Sequence, residues 1–216
     1  MKKMSVKKLT TMGILSSLAV ILSIFAYFPL VPAVPWLSYD PKDIVIVIGG
    51  FIYGPLASFL MSIIVSFLEI VFKGGSIIDV LMNVISTCAF ACVASYVYKK
   101  NHTKKGAVIG LICGVLCTVF CMTLWNYIIT PIYYKMPREA VVSMWLPGII
   151  LFNVLKSGIN AGVTLFLYKS VVTVLRRTNL VEKGESQQNL ESTLIVVGIF
   201  ITLTFICIVL SIQGII

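Results

Sequence analysis

Six stretches of this chain are almost free of charge for long enough to cross a lipid bilayer: residues 9–39, 44–72, 80–98, 106–134, 140–168 and 192–216. Two of them contain a single charge each, Glu69 and Lys156. A transmembrane helix needs about 20 predominantly apolar residues. The remaining sequence is too short for a separate soluble catalytic domain. Composition agrees: 59% of the residues are hydrophobic and 12% charged, against roughly 25% charged in a soluble domain. The chain is therefore expected to be an all-α, polytopic membrane helical bundle.

The net charge of +9 would suggest a nucleic-acid partner in a soluble protein. In a membrane protein it reports basic residues kept at the cytoplasmic face, so the expected surroundings are the lipid bilayer and no nucleic acid. The start resembles a signal peptide, with Lys2, Lys3, Lys7 and Lys8 before an apolar run. That run continues uncharged to Tyr39, longer than a typical signal core, and more spans follow. It reads as a retained first helix with a cytoplasmic N-terminus in the cell membrane.

One helix per run puts Lys99, Lys100, Lys104 and Lys105 outside, against the rule that basic loops remain cytoplasmic. Breaking 44–72 at Gly54-Pro55, a strong helix-breaking pair, keeps the cluster inside. The expected helices are then about 8–28, 41–53, 55–72, 77–98, 105–131, 147–175 and 191–215. The second rises only about 20 Å and needs help from the segment before it. That segment, Phe28 to Tyr39, holds three prolines and is too hydrophobic for a free loop. Nonhelical backbone at this depth must be covered by protein or line a cavity, so it is read as a lid. The organisation expected is a transmembrane domain over 1–177, a polar linker over 178–190, and an additional transmembrane helix in 191–216.

Within the spans a few polar residues stand out. Lys156 would lie roughly 14 Å from the outer end of its helix, a depth at which an ammonium needs a cavity or a partner. Asn153, Lys156 and Asn160 share one helical face. Asn126 falls at a similar depth, five residues before Pro131. Trp36, Tyr39, Trp125 and Tyr127 are candidates to line the same space. Amides and one ammonium ringed by aromatics suit a planar, heteroatom-rich ligand. The alternative is that Lys156 pairs with Glu69 or Asp79 as structural glue.

Asp40 and Asp43 could be paired carboxylates for acid–base or metal chemistry. Asp40-Pro41-Lys42-Asp43 is better read as a helix start, with Asp at the cap, Pro at the first position and a carboxylate near the positive dipole end. Cys113, Cys117 and Cys121 fall on one face, as do Cys88 and Cys92, and read as small residues at close helix contacts, with no metal expected. Gly13 with Ser17, and Ala19 with Ser23, are small pairs one turn apart on the first helix. They serve either internal packing or docking of another membrane subunit. The sequence contains no GxxxxGK[ST], HExxH or GxSxG motif.

Asp40-Pro-Lys-Asp43-Ile44 followed by Ile48-Gly-Gly-Phe-Ile-Tyr-Gly-Pro55 resembles the substrate-binding S components of energy-coupling factor (ECF) vitamin transporters. Trp125-Asn126-Tyr127 before a proline, and Asn153-Val-Leu-Lys156, make it most similar to the riboflavin-specific members. The likeness covers about residues 5–177. It implies a six-helix S-component core that binds riboflavin as substrate, without cofactor, near the outer face under the loop between the first two helices. It implies no ATPase activity in this chain, which would associate with a transmembrane coupling subunit and two ATPase subunits. By motif, Asn126, Asn153 and Lys156 would hydrogen-bond the isoalloxazine, and small residues of the first helix would dock the coupling subunit. Here Gly13 and Ser17 stand where the family usually has an alanine pair, and the seventh helix is a departure. Another vitamin is the near alternative. From other classes come an intramembrane enzyme using Asp40, Asp43 or Glu69, and a purely structural subunit.

Overall fold

The computed structural model describes residues 6–177. The linker at 178–190 and the helix expected at 191–215 lie outside the described residues. Within them the chain forms six helices. Helix α1 spans Val6–Phe25, α2 Lys42–Tyr53, α3 Pro55–Lys73, α4 Ile77–Lys100 and α5 Lys104–Tyr134. Helix α6 opens at Arg138–Ala140, passes through a π turn at Val141–Trp145 and continues over Leu146–Arg177. All but α2 are long and apolar enough to cross a membrane.

The break at Gly54-Pro55 is as the charge argument requires. Gly54 has φ +90°, a backbone conformation that disfavours L side chains, and Pro55 opens α3 at a position where its missing N–H costs nothing. Helices α2 and α3 therefore run antiparallel. Three boundaries differ from expectation, the first being the end of α1, at Phe25 and not at 28. Helix α5 continues through Pro131 to Tyr134, and α6 starts nine residues before Pro147. The π turn just upstream of Pro147 widens the helix where the ring removes an N–H. Membrane helices tolerate such prolines because neighbouring groups re-satisfy the freed carbonyls.

Short α2 is the axle of the bundle, buried at every residue from Lys42 to Phe51. That explains its Gly-Gly pair. A Cβ on Gly50 would overlap the hydroxyls of Ser58 on α3 and Ser95 on α4, and one on Gly49 would lie 2.7 Å from the Met61 sulfur. Helix α5 instead buries every fourth position, Gly106, Gly110, Gly114, Thr118, Met122, Asn126 and Thr130, with Ala107, Leu111 and Pro131 beside them. The glycines let α4 approach, since a Cβ on Gly110 or Gly114 would come within 2.6 or 2.7 Å of the Ala94 or Phe90 carbonyl oxygen. Of the cysteines, Cys88 also sits at a helix contact, with its sulfur 3.0 Å from the Ser62 hydroxyl of α3. Meanwhile Ile109, Ile112, Leu116, Phe120 and Leu124 face outward, a surface suited to lipid and not to water.

The segment after α1 forms a small hairpin: Phe28–Pro29 (β1) pairs antiparallel with Ser38–Tyr39 (β2). Leu30, Val31 and Val34 are buried against Ile149, Phe152 and Leu155 of α6. The tip rests on Gly148, where a Cβ would meet Val34 at 3.2 Å and Ala33 at 3.3 Å. This is the lid. At the other end of the bundle Phe51, Tyr98 and Tyr168 close the core, with the two tyrosine hydroxyls 2.8 Å apart.

Candidate functional site

A cavity of about 210 Å³ lies under the lid, walled by α3, α4, α5 and α6. From the lid come Tyr27, Trp36, Leu37 and Ser38. Asn126 and Met122 come from α5, and Phe152, Asn153 and Lys156 from α6. Trp36 is held edge-on to Trp145 with ring centroids 4.6 Å apart, and it also meets Tyr134.

Tyr39 is not part of this wall. Its ring packs on Phe28 and its hydroxyl donates to Asn160 Oδ1 at 3.1 Å. Alternation along β2 turns Ser38 to the cavity and Tyr39 to the core. Trp125 and Tyr127 also lie outside the wall; the Tyr127 ring carries the Arg138 guanidinium at 4.9 Å.

The asparagines are held by their own helices. Asn126 Nδ2 donates to the Met122 carbonyl at 2.8 Å while its Oδ1 accepts from Thr130. Asn153 Nδ2 donates to the Ile149 carbonyl at 2.8 Å. Each amide retains a second N–H, so both are oriented and still able to donate.

A charge network of three carboxylates and three ammoniums runs from the wall, at Asp40, Glu69, Lys73 and Lys156, to Lys42 and Asp43 behind it. Lys156 Nζ is 3.0 Å from Asp40 Oδ2 and 4.0 Å from Asp43 Oδ2. Lys42 bridges Asp40, at 3.5 Å, and Glu69; Lys73 holds the other Glu69 oxygen at 2.7 Å. Thr87 and Asn160 donate to Asp43 at 2.7 and 3.3 Å. A lone buried ion costs several kcal/mol, and here every charge faces its opposite. The Lys156 partners are Asp40 and Asp43, where the sequence offered Glu69 or Asp79.

Asp43 does lie in the first turn of α2, but the reading of Asp40 as its cap is corrected. Pro41 occupies the cap position of α2 without a side-chain cap bond. Asp40 Oδ1 accepts weakly from the Lys42 backbone at 3.3 Å, but its other oxygen, and Asp43, serve lysines. Ala19 and Ser23 are buried, whereas Gly13 and Ser17 are exposed on α1, with nothing near where a Gly13 Cβ would lie.

Sequence reasoning passed over Asp40, Glu69, Lys73, Asn83 and Ser86 as wall residues. Asn83 had a usable signal, being an amide inside an apolar span. Asp40 and Glu69 had been given other roles.

Comparison with known proteins follows from this arrangement. Residues 7–168 match the family described as "ECF transporter, substrate-specific component". The riboflavin transporter RibU of Staphylococcus aureus (strain TCH60) is 26% identical over 177 residues, covering 79% of this chain and 93% of that protein. The riboflavin transporter FmnP of Bacillus subtilis (strain 168) is 29% identical over 164 residues, 71% of this chain and 85% of the relative. Among solved structures, the S component of a bacterial ECF transporter superposes with a TM-score of 0.67 at 27% identity, covering 78% of this chain and 97% of the other. With the bundle, the lid and the cavity beneath it in place, the chain belongs to the substrate-specific components of ECF transporters.

Proposed function

We propose that this chain binds riboflavin in the cavity beneath the lid and serves as the capture subunit of an importer in the cell membrane. The observation that carries the reading is the cavity itself: oriented amides of Asn126 and Asn153, the Lys156 ammonium and the rings of Trp36 and Phe152 line one space beneath the lid. A flat heterocycle with several carbonyl and nitrogen acceptors matches that set of donors and apolar faces. The relatives named as riboflavin transporters support the same ligand.

The cavity faces the outside in this reading. Lys7, Lys8, Lys99, Lys100, Lys104 and Lys105 gather at the opposite end of the bundle, and basic residues mark the cytoplasmic side. The N-terminus is then cytoplasmic. A cysteine placed at Asn101 in a cysteine-free background resists impermeant thiol reagents in intact cells; ready labelling there would reverse the orientation.

Energy comes from partners, because the sequence carries no phosphate-binding loop. A membrane coupling subunit bearing two ATPases docks on the exposed α1 face around Gly13 and Ser17, where small residues leave room for a helix. The carboxylates an intramembrane enzyme would need are each tied to a lysine. The direct test is a titration of the purified full chain in detergent with riboflavin, followed by quenching of flavin fluorescence. Saturable one-to-one quenching is expected. No quenching at micromolar flavin sinks the reading.

A further inference from the structure

The two ends of the bundle carry opposite charge. The carboxylates of the described residues, Asp40, Asp43, Glu69, Asp79 and Glu139, all lie toward the lid. The other end, where α1 and α5 begin and α4 finishes, holds Lys7, Lys8, Lys99, Lys100, Lys104 and Lys105. Among the described residues no carboxylate stands at that end. Like charges gathered in this way repel one another until an anion from outside the chain balances them.

The lysines are presented by an ordered surface. Between α4 and α5 the Thr103 amide donates to the Asn101 carbonyl at 2.7 Å, and the Thr103 hydroxyl accepts from the Gly106 amide at 3.0 Å. A Cβ on Gly106 would overlap the Asn101 carbonyl oxygen, so this turn is packed on the helix it starts. Lys99 extends over the α2–α3 turn, its Cδ 3.8 Å from where a Gly54 Cβ would lie. The Lys100 ammonium stands over the Tyr96 ring at 4.6 Å. Lys7, Lys99, Lys100 and Lys105 are exposed.

Depth selects the partner. Four residues from Lys100 along α4, and four from Lys105 along α5, Tyr96 and Ile109 face outward on the same helical faces as those lysines. Ammoniums that begin where an outward apolar surface stops sit at the level of lipid headgroups, with a tyrosine beneath one of them as interfacial tyrosines are placed. A soluble anion has no use for the apolar margin, whereas a phospholipid fills both parts.

We propose that this end of the bundle is a binding surface for anionic phospholipid. Lys99, Lys100 and Lys105 hold the phosphodiester oxygens, and the acyl chains run along the apolar faces of α4 and α5. The surface lies at the end opposite the lid and is independent of the ligand bound there. Anionic lipid relieves the repulsion among the lysines and so favours the folded chain.

The purified full chain in detergent is melted with added phosphatidylglycerol, with phosphatidylcholine, or with inorganic phosphate at the same concentration. Phosphatidylglycerol is expected to raise the melting temperature about 2–4 °C more than phosphatidylcholine does, and high salt to erase that difference. Inorganic phosphate has no such effect. The combined variant Lys99→Gln, Lys100→Gln, Lys105→Gln loses most of the difference, while Lys99→Arg, Lys100→Arg, Lys105→Arg keeps it. If the glutamine variant does not fold, the three additives on the unmodified chain decide alone. Equal stabilisation by both lipids, an equal effect of inorganic phosphate, or a difference that survives in the glutamine variant each overturns the proposal.

Discussion

Lys156 and Asp40 meet across the cavity floor at 3.0 Å, joining the middle of α6 to the residue that ends the lid. One position earlier, Tyr39 bonds Asn160, a single turn further along the same helix. The lid is thus pinned at its second root by two adjacent bonds to α6, while Phe25, Tyr27 and Phe28 at its first root are exposed. Movement of the lid is expected at the α1 side.

Lys156→Met should lower stability as well as flavin affinity. It leaves Asp40 and Asp43 buried with Lys42 as their remaining cation. Breaking a buried pair costs about 3–5 kcal/mol, and the lower end applies because Lys42 still faces Asp40. Asp43→Asn in the same chain should restore much of the melting temperature but not the affinity. Thermal melting in detergent, with and without riboflavin, separates the two effects. A single mutant that melts unchanged would mean the pair is not formed.

Gly50→Ala should be among the most damaging single-methyl additions. Its Cβ overlaps two hydroxyls on two different helices, so no single side chain can yield. Overpacking costs about 1–3 kcal/mol or more. Gly13→Ala, with open space at that site, is the control. Monodisperse yield and melting temperature are the readouts, and parity between the two mutants would contradict the packing described.

Gly148→Val should act on the lid and not on the bundle. Even a Cβ there crowds Ala33 and Val34 at 3.3 and 3.2 Å, and a branched side chain displaces the tip. Riboflavin should dissociate several-fold faster in stopped-flow fluorescence, with melting of the unliganded protein little changed. An unaltered off-rate would show that the tip does not retain the ligand.

Gly13→Leu or Ser17→Leu should abolish uptake in cells carrying the full transporter while sparing binding by the purified chain. Both positions face outward, so the added bulk stays clear of this chain's own core and meets the partner under the docking proposed above. Parallel loss of uptake and binding would place the face in internal packing.

Much of this architecture is legible in the sequence for simple physical reasons. Gly54-Pro55 breaks a helix wherever it falls, and that break is what sets the lysine loop at 99–105 at the same end of the bundle as the N-terminal lysines. Asn126, Asn153 and Lys156 stand out because polar groups in lipid spans need a purpose. The partners of Lys156 were not legible. Helix α2 is buried on all sides, so its sequence has no amphipathic face to show which neighbour Asp40 or Asp43 meets. Tyr39 turns to the core because a two-residue strand decides its direction, and nothing in a proline-rich apolar segment announces that strand. Asn83 was visible by the same rule as Asn126 but had no neighbouring motif to draw attention to it.

The charged root of α2 also orders events in time. Asp40 and Lys156 are 116 positions apart, so at a synthesis rate of about 5–20 residues per second the carboxylate precedes its partner by roughly 6–23 s. During that interval a twelve-residue helix with three charges at its start has neither the length nor the neutrality to settle in lipid alone. Biogenesis must hold it at the membrane surface, or within the insertion machinery, until α6 emerges. The ligand cavity and the mature topology are then completed by the same late arrival.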